Sequence, residues 1–324
     1  MSLRLPLRLA IGAIAATLAL PALAADPFPA RPIHIIAPWG VGTPPDIVAR
    51  ILGDNLAPRF GQPVIVDNKP GATGTIGLAE LARQPADGHT LATITMPVTV
   101  ASALYPDLKL DLSRDFAPIG LVGWASNVLV VNAHSPAASV PELLSLLRAK
   151  PGQLAFASGG NGTPAHLAGE LFLQTTGTAA NHVPYNQFPQ AVADVIAGRV
   201  EFMFMSSVAA IAQVQGGSLR ALAVTAPERI AALPAVPTMV EAGHPDVVVR
   251  DWSGVIAKAG TPEPVLARLR SELAEALRSA VVRERLAQIG IEPDIQTAAA
   301  FGDLIRSETA RWSQLVQTAG IKPN

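Results

Sequence analysis

The 324-residue chain carries 24 basic and 25 acidic side chains, a formal charge of −1 with histidines neutral, and no cysteine. So even a balance leaves no electrostatic footprint for nucleic acid or an anionic membrane surface, and without thiols there is no cysteine nucleophile, iron–sulfur cluster or cysteine-based zinc site. Hydrophobic residues make up 49% of the chain but fall in short runs broken by Gly and Pro, so beyond the leader described next no segment reads as membrane-spanning.

Residues 1–24 read as a secretory signal peptide. Arg4 and Arg8 give a basic start, Leu9 to Leu20 an apolar run, and Ala22-Leu23-Ala24 a small-residue cleavage site. Pro21 ends the run short of the ~20 residues that a membrane anchor needs. The remainder is long enough for two domains.

Ile33 to Ala37 (IHIIA) is a strand by its β-branched content, and Asp46 to Leu56 places Ile47, Val48, Ile51, Leu52 and Leu56 on one helical face. A strand at Pro63 to Asp67, a helix at Thr75 to Gln84 and a strand at His89 to Thr95 follow. This alternation predicts a parallel sheet with right-handed crossovers. A second unit of the same type opens near Ser126. Its strands are Val128 to Val131, Gln153 to Ala157, Val200 to Met205 and Leu219 to Thr225. Its helices run from a capping box at Ser139-Val140-Pro141-Glu142 to Lys150, from Thr163 to Thr176 with Gly177 as the stop, and from Phe188 to Ala197.

The C-terminal stretch reads as helices at 262–279, 281–289 and 298–319, too poor in strands for a sheet of its own. It is expected to return and cover the first sheet. The fold class is therefore α/β, with two doubly wound domains. Domain 1 is discontinuous (25–125 and 250–324), domain 2 spans 126–249, and crossovers near 124–128 and 246–252 form the hinge. No repeat with a period of 20 to 50 residues is evident.

Three glycine-rich loops sit where strands give way to helices: Pro38 to Asp46 (PWGVGTPPD), Lys69 to Gly77 (KPGATGTIG) and Ser158 to Pro164 (SGGNGTP). In open α/β sheets ligands bind at the carboxyl ends of strands, and glycine lets backbone N–H groups approach an anion. The first loop is no dinucleotide fingerprint. Pro45 takes the third glycine's place, Pro44 and Pro45 remove two donors, and Asp46 would repel a phosphate unless it turned away. There is no Gly-Lys-Ser/Thr phosphate loop, no G-x-S-x-G elbow and no H-E-x-x-H among the six scattered histidines. Of these His166, one turn into the helix behind the third loop, is either a ligand contact or a supporting hydrogen bonder. Trp39, Tyr185 and Trp252 stand at loop or crossover positions where aromatics can wall a small-molecule cleft. Trp312 reads as packing, and Trp124 as either.

At these residues the chain resembles the substrate-binding proteins of tripartite tricarboxylate transporters, the Bug family. The similar stretches include IIAPWGVGTPPDIVAR (35–50), GQPVIVDNKPGATGTIG (61–77), NVLVVNAHSP (127–136), ASGGNGTPAHLAGELF (157–172), HVPYNQ (182–187), LRALAVT (219–225) and AGIKPN (319–324). The resemblance implies a two-lobed, type II-like periplasmic binding protein that holds a small organic carboxylate on backbone N–H groups and passes it to membrane components of a transporter. Carried over residue by residue, the ligand-facing set is Trp39, Gly40, Val41, Gly42, Thr43, Asp46, Gly71, Ala72, Thr73, Gly74, Ser158, Asn161, Thr163, His166 and Tyr185. Met205 and Ser206 match the strand end that also faces the cleft.

Two departures bear on the ligand. Met205-Ser206-Ser207 supplies no carboxylate to meet an ammonium group, which argues against an amino acid. Asn186-Gln187-Phe188 stands where relatives more usually have Lys-Gly-Gly. No Arg or Lys lies in the loops except Lys69 at the edge of the second, so recognition rests on backbone donors and helix ends. The expectation is reversible capture by a periplasmic monomer, with no catalytic residue, cofactor or metal. The alternatives are a sensor component that presents its ligand to a membrane kinase and an enzyme on a doubly wound fold.

Overall fold

A computed structural model describes residues 28–105, 109–185 and 187–322; the leader read at 1–24 and Asn186 lie outside them. The chain begins with β1 (Ile33–Ala37), α1 (Pro44–Phe60), β2 (Val64–Asn68), α2 (Thr75–Arg83) and β3 (Thr90–Thr95). A 3-10 segment (Met96–Val100) then leads to α3 (Ala101–Leu104) and α4 (Leu112–Asp115), and β4 (Phe116–Asn132) carries the chain into its second half. There α5 (Val140–Ala149), β5 (Ala155–Ser158), α6 (Pro164–Thr176), β6 (Asn181–Pro184), α7 (Phe188–Ile196), β7 (Phe202–Ser206), α8 (Ser207–Gln215) and β8 (Leu219–Val224) follow in turn. The chain returns through β9 (Arg250–Lys258), α9 (Glu263–Arg278), α10 (Ala280–Gln288), β10 (Glu292–Pro293) and α11 (Ala298–Thr318).

Helix ends obey the local chemistry. Thr163 caps α6, accepting the His166 N–H, and Gly177 takes the left-handed conformation that stops it. Ser139 accepts from the Glu142 N–H, while the Glu142 carboxylate reaches back one residue further than a capping box requires, to the Ala138 N–H at 2.6 Å.

Two sets of parallel strands share one long strand. In the first half β2, β1 and β3 run parallel, and β9 closes them antiparallel against β3. In the second half β6, β5 and β7 run parallel, and β4 closes them antiparallel against β7. The two sets meet along β4. Trp124 pairs with Trp252 of β9 on one edge and with Glu292 of β10 on the other. Val128 pairs with Met205 of β7 and with Val224 of β8. The result is a two-lobed α/β fold. The helix-rich C-terminal stretch does return to the first half, but it brings β9, whose first residues fall within the expected 246–252 crossover. Its antiparallel pairing is fixed by distant partners, not by local pattern.

One apolar cluster fills each half, around Ile35, Ile51 and Leu273 in the first and around Val128, Met203 and Val195 in the second. A third spans both, from Ile94 and Trp252 to Leu129 and Phe172. Trp252 is only 1% exposed and meets the Phe301 ring edge-on at 5.5 Å, so it is core and not a cleft wall. Trp312 is likewise fully buried. Gly254 is obligatory beside them, because a Cβ there would overlap the Phe301 ring.

Asp251 of β9 accepts the N–H groups of Met96 (3.3 Å) and Trp252 (2.9 Å) through Oδ1. Burial nevertheless pushes its carboxyl up to about 7, outweighing those two donors. A carboxyl raised in the folded state favours folding only while protonated, so its contribution declines as pH climbs from the ordinary value of 3.8 to about 7. Asp251→Asn mimics the protonated form. It is expected to raise the melting temperature by an amount that grows between pH 4 and pH 7, read by calorimetry across that range.

Candidate functional site

The carboxyl ends of the parallel strands carry the glycine loops. In the first loop Thr43 donates its hydroxyl to the Gly40 carbonyl at 2.7 Å, Gly42 has φ +80°, and Pro44 starts α1. The Gly42 N–H is taken back by Asp46 Oδ2 at 2.9 Å. Asp46 is 1% exposed, and its two oxygens also accept from Arg50 (2.9 and 3.2 Å) and Asn68 (2.8 Å). Burial alone would raise its carboxyl, but hydrogen bonds from Arg50, Gly42 and Asn68 outweigh burial and hold it below the usual carboxylate range. Asp46 therefore clips its own loop, with both carboxylate oxygens engaged.

The third loop repeats the frame. Gly-x-Gly-Thr-Pro stands at 40–44 and again at 160–164. Thr163 donates its hydroxyl to the Gly160 carbonyl at 2.7 Å, Gly162 has φ +76°, and Pro164 starts α6. The residue in Asp46's place is His166. Its Nδ1 accepts the Gly162 N–H at 3.1 Å, so the ring is unprotonated there and its proton sits on Nε2, 3.5 Å from Glu170.

His182 stacks on His166 at 3.9 Å between centroids, and Phe156 lies on His182 at 4.9 Å. The His182 Nε2 is 2.6 Å from the Ser158 hydroxyl, which also accepts the Gly160 N–H at 3.0 Å. Burial first, then the neighbouring His166, lower the His182 pKa to about 3.

The second loop is strained. Gly71, Ala72, Thr73 and Gly74 have φ of 129°, 46°, 53° and 89° in succession. Left-handed φ at a β-branched threonine is an outlier that folded structure must enforce, and such strain collects at ligand sites. Among the described residues no oxygen accepts the N–H of Ala72 or Thr73. A run of this kind turns successive N–H groups into a concave seat for an anion.

Trp39 roofs the end of that seat. A Cβ at Gly74 would lie 3.1 Å from the Trp39 ring and 3.2 Å from Val98. Asn68 ties the first two loops together, donating to the Trp39 carbonyl at 3.0 Å as well as to Asp46. The third loop approaches the same region from the other lobe. A Cβ at Gly162 would meet Leu104 and Val100, in the segment whose Val98 touches Gly74. Asn161 reaches the Lys322 carbonyl at 2.9 Å.

The remaining residues of the expected set divide. Gly40, Val41 and Ser206 are open to solvent or partly so, and Ser206 ends β7 opposite Asn127. Ser158 is buried beneath the third loop as its hydrogen-bonding hub. Tyr185 donates its hydroxyl to Asp194 at 2.6 Å; burial and then that carboxylate push its pKa up to about 12. The Met205 side chain is fully buried in the second-half core. Asp46 and His166 thus each hydrogen-bond their own loop, Tyr185 bonds Asp194, and Met205 packs in the core. Sequence reasoning missed Asn68, Arg50 and His182 as the partners that hold the loops. The repeated Gly-x-Gly-Thr-Pro was the signal available for His166, since it sets that residue in register with Asp46.

Among the described residues, no group of three or more His, Cys, Asp or Glu is placed to hold a metal, and no helix is long and apolar enough to cross a membrane. The family described as "Tripartite tricarboxylate transporter family receptor" matches residues 48–321. The chain belongs to this family. Protein BugT of Bordetella pertussis is 37% identical over 96% of this chain and 97% of its own length. The structure of R. palustris Rpa4515 with adipate is 31% identical, covering 92% of this chain and 100% of that one at a TM-score of 0.79. Periplasmic binding protein BugD is 29% identical, covering 92% and 100% at 0.76. These likenesses bear out both the Bug-family resemblance and the two-lobed binding-protein fold.

Gly74→Ala puts a Cβ against Trp39 at a left-handed φ, which disfavours an L side chain by about 1–2 kcal/mol. It is expected to lower the melting temperature and shift Trp39 fluorescence. A second expectation concerns acid. His182 titrates near 3 in the fold against an ordinary 6.5, so the unfolded chain takes up a proton first as pH falls. Stability is expected to decline from about pH 6.5 downwards, by at most about 1.4 kcal/mol per pH unit. His182→Gln, which keeps a hydrogen-bonding group for Ser158, should flatten the melting-temperature profile between pH 6.5 and pH 4; an unchanged profile would remove His182 from the acid response.

Proposed function

We propose that the protein captures a small organic carboxylate in the periplasm and passes it, without chemical change, to the membrane components of a tripartite transporter. The observation that carries this reading is the strained run from Gly71 to Gly74, in which the Ala72 and Thr73 N–H groups have no acceptor among the described residues. A helix start at Thr75 adds the positive end of its dipole. The adipate held by Rpa4515 and the periplasmic character of BugD support the ligand class and the compartment. Export through the leader with cleavage after Ala24 belongs to the same reading. So does the division of the mature chain into domain 1 (25–125 with 250–324) and domain 2 (126–249). It works as a monomer and closes on its ligand by rotation of the two lobes.

The ligand-facing groups are the backbone of Gly40, Val41 and Gly71 to Gly74, with Trp39, Ser206 and the third loop completing the cleft. Asp46, Thr43, Thr163, His166, Ser158 and Tyr185 keep those groups in place. A thermal-shift panel of carboxylates on ligand-free protein tests the proposal. A true ligand at 100 times its Kd adds about 2.7 kcal/mol of stability. Stabilisation by a carboxylate, and none by nicotinamide nucleotides, is expected; the reverse pattern would overturn it.

A further inference from the structure

Exposed apolar side chains follow several strand ends. Among the described residues Val41 is 75% exposed, Ile76 51% and Phe188 38%. They follow the carboxyl ends of β1, β2 and β6, so each stands on the face where ligands enter an α/β sheet. Val208 also follows a strand end, but it packs against Gly290 of the first half.

Two apolar side chains bracket the N–H seat directly. The Ile76 side chain lies over Gly71, where a Cβ would meet its Cδ1 at 2.5 Å, and the Trp39 ring lies over Gly74 at the other end. Cationic side chains are scarce there. Arg50 is paired with Asp46 at 2.9 Å and with Asn68 at 3.1 Å, which leaves exposed Lys69 as the basic residue of the loops. One anion can be satisfied by the N–H groups of Ala72 and Thr73. A second negative charge on the same ligand would be drawn between Trp39 and Ile76, with exposed Lys69 as the one side-chain cation of the loops to meet it, which is unfavourable.

We propose that the ligand is a monocarboxylate with an apolar body, aliphatic or aromatic, rather than a di- or tricarboxylate. Its carboxylate occupies the seat between Gly71 and Gly74. Its body lies between Trp39, Ile76 and Val41 of one lobe and Phe188 of the other. Apolar groups rimming a small polar centre are the usual composition of a small-molecule site, and closure removes them from water. This inference rests on the carboxylate-capture reading and narrows it.

Titration calorimetry with straight-chain monocarboxylates from acetate to octanoate, with benzoate and phenylacetate, and with adipate, malate and citrate separates the cases. Affinity is expected to rise about fourfold per added methylene until the cleft is filled. Hexanoate should bind at least tenfold more tightly than adipate, which has the same six carbons and a second carboxylate. Ile76→Ser and Phe188→Ser change exposed side chains that the fold does not need. Each should weaken hexanoate severalfold and acetate by a smaller factor. If adipate or malate binds more tightly than its monocarboxylate counterpart, or if neither variant alters hexanoate affinity, this inference fails while carboxylate capture stands. If no carboxylate binds at all, the capture reading itself fails.

Discussion

A glycine N–H held by the third residue of the following helix is the contact on which the cleft depends. Gly42 donates to Asp46 in one lobe, and Gly162 donates to His166 in the other. Each bond closes a short ring that fixes the direction of the loop backbone before any ligand arrives. Recognition through main-chain donors needs this rigidity, since a loop free to rotate would have to be ordered at the moment of binding. The side chains that resemblance assigns to the ligand are in large part engaged in holding the loops still.

The same frame with different closing groups makes the lobes chemically unequal. Asp46 is buried and charged, balanced by Arg50 and hydrogen-bonded by Asn68, so its loop is also tied to β2. His166 closes its loop as a neutral ring, backed by a stack of His182 and Phe156. The first loop is thus anchored by charge-assisted bonds, which are roughly twice as strong as neutral ones. The second lobe relies on aromatic packing and a tautomer.

Where order is local the sequence announced it. Thr163 and Gly177 mark both ends of α6, and the β-branched runs of β1 and β2 lie where they were read. β9 was hidden because Asp251, Ser253 and Gly254 interrupt its apolar run; its identity comes from pairing with β3 on one side and β4 on the other. In the candidate site the glycines were legible and the orientations were not. Nothing in the spelling of the first loop says that Asp46 turns inward, because its partner Asn68 arrives from a different strand. Phe202 to Met205 is buried throughout, so strand alternation could not say that Met205 faces the core while Ser206 ends in the open.

β4 runs for 17 residues without a break, its first part laddered to β9 and β10 and its second to β7 and β8. A strand bonded along both edges resists stretching and sliding, yet a pleated ribbon still flexes and twists about the stretch between its two ladders. A change in the angle between the lobes would be taken up as twist and bend of this shared ladder, and not as sliding of one sheet past the other.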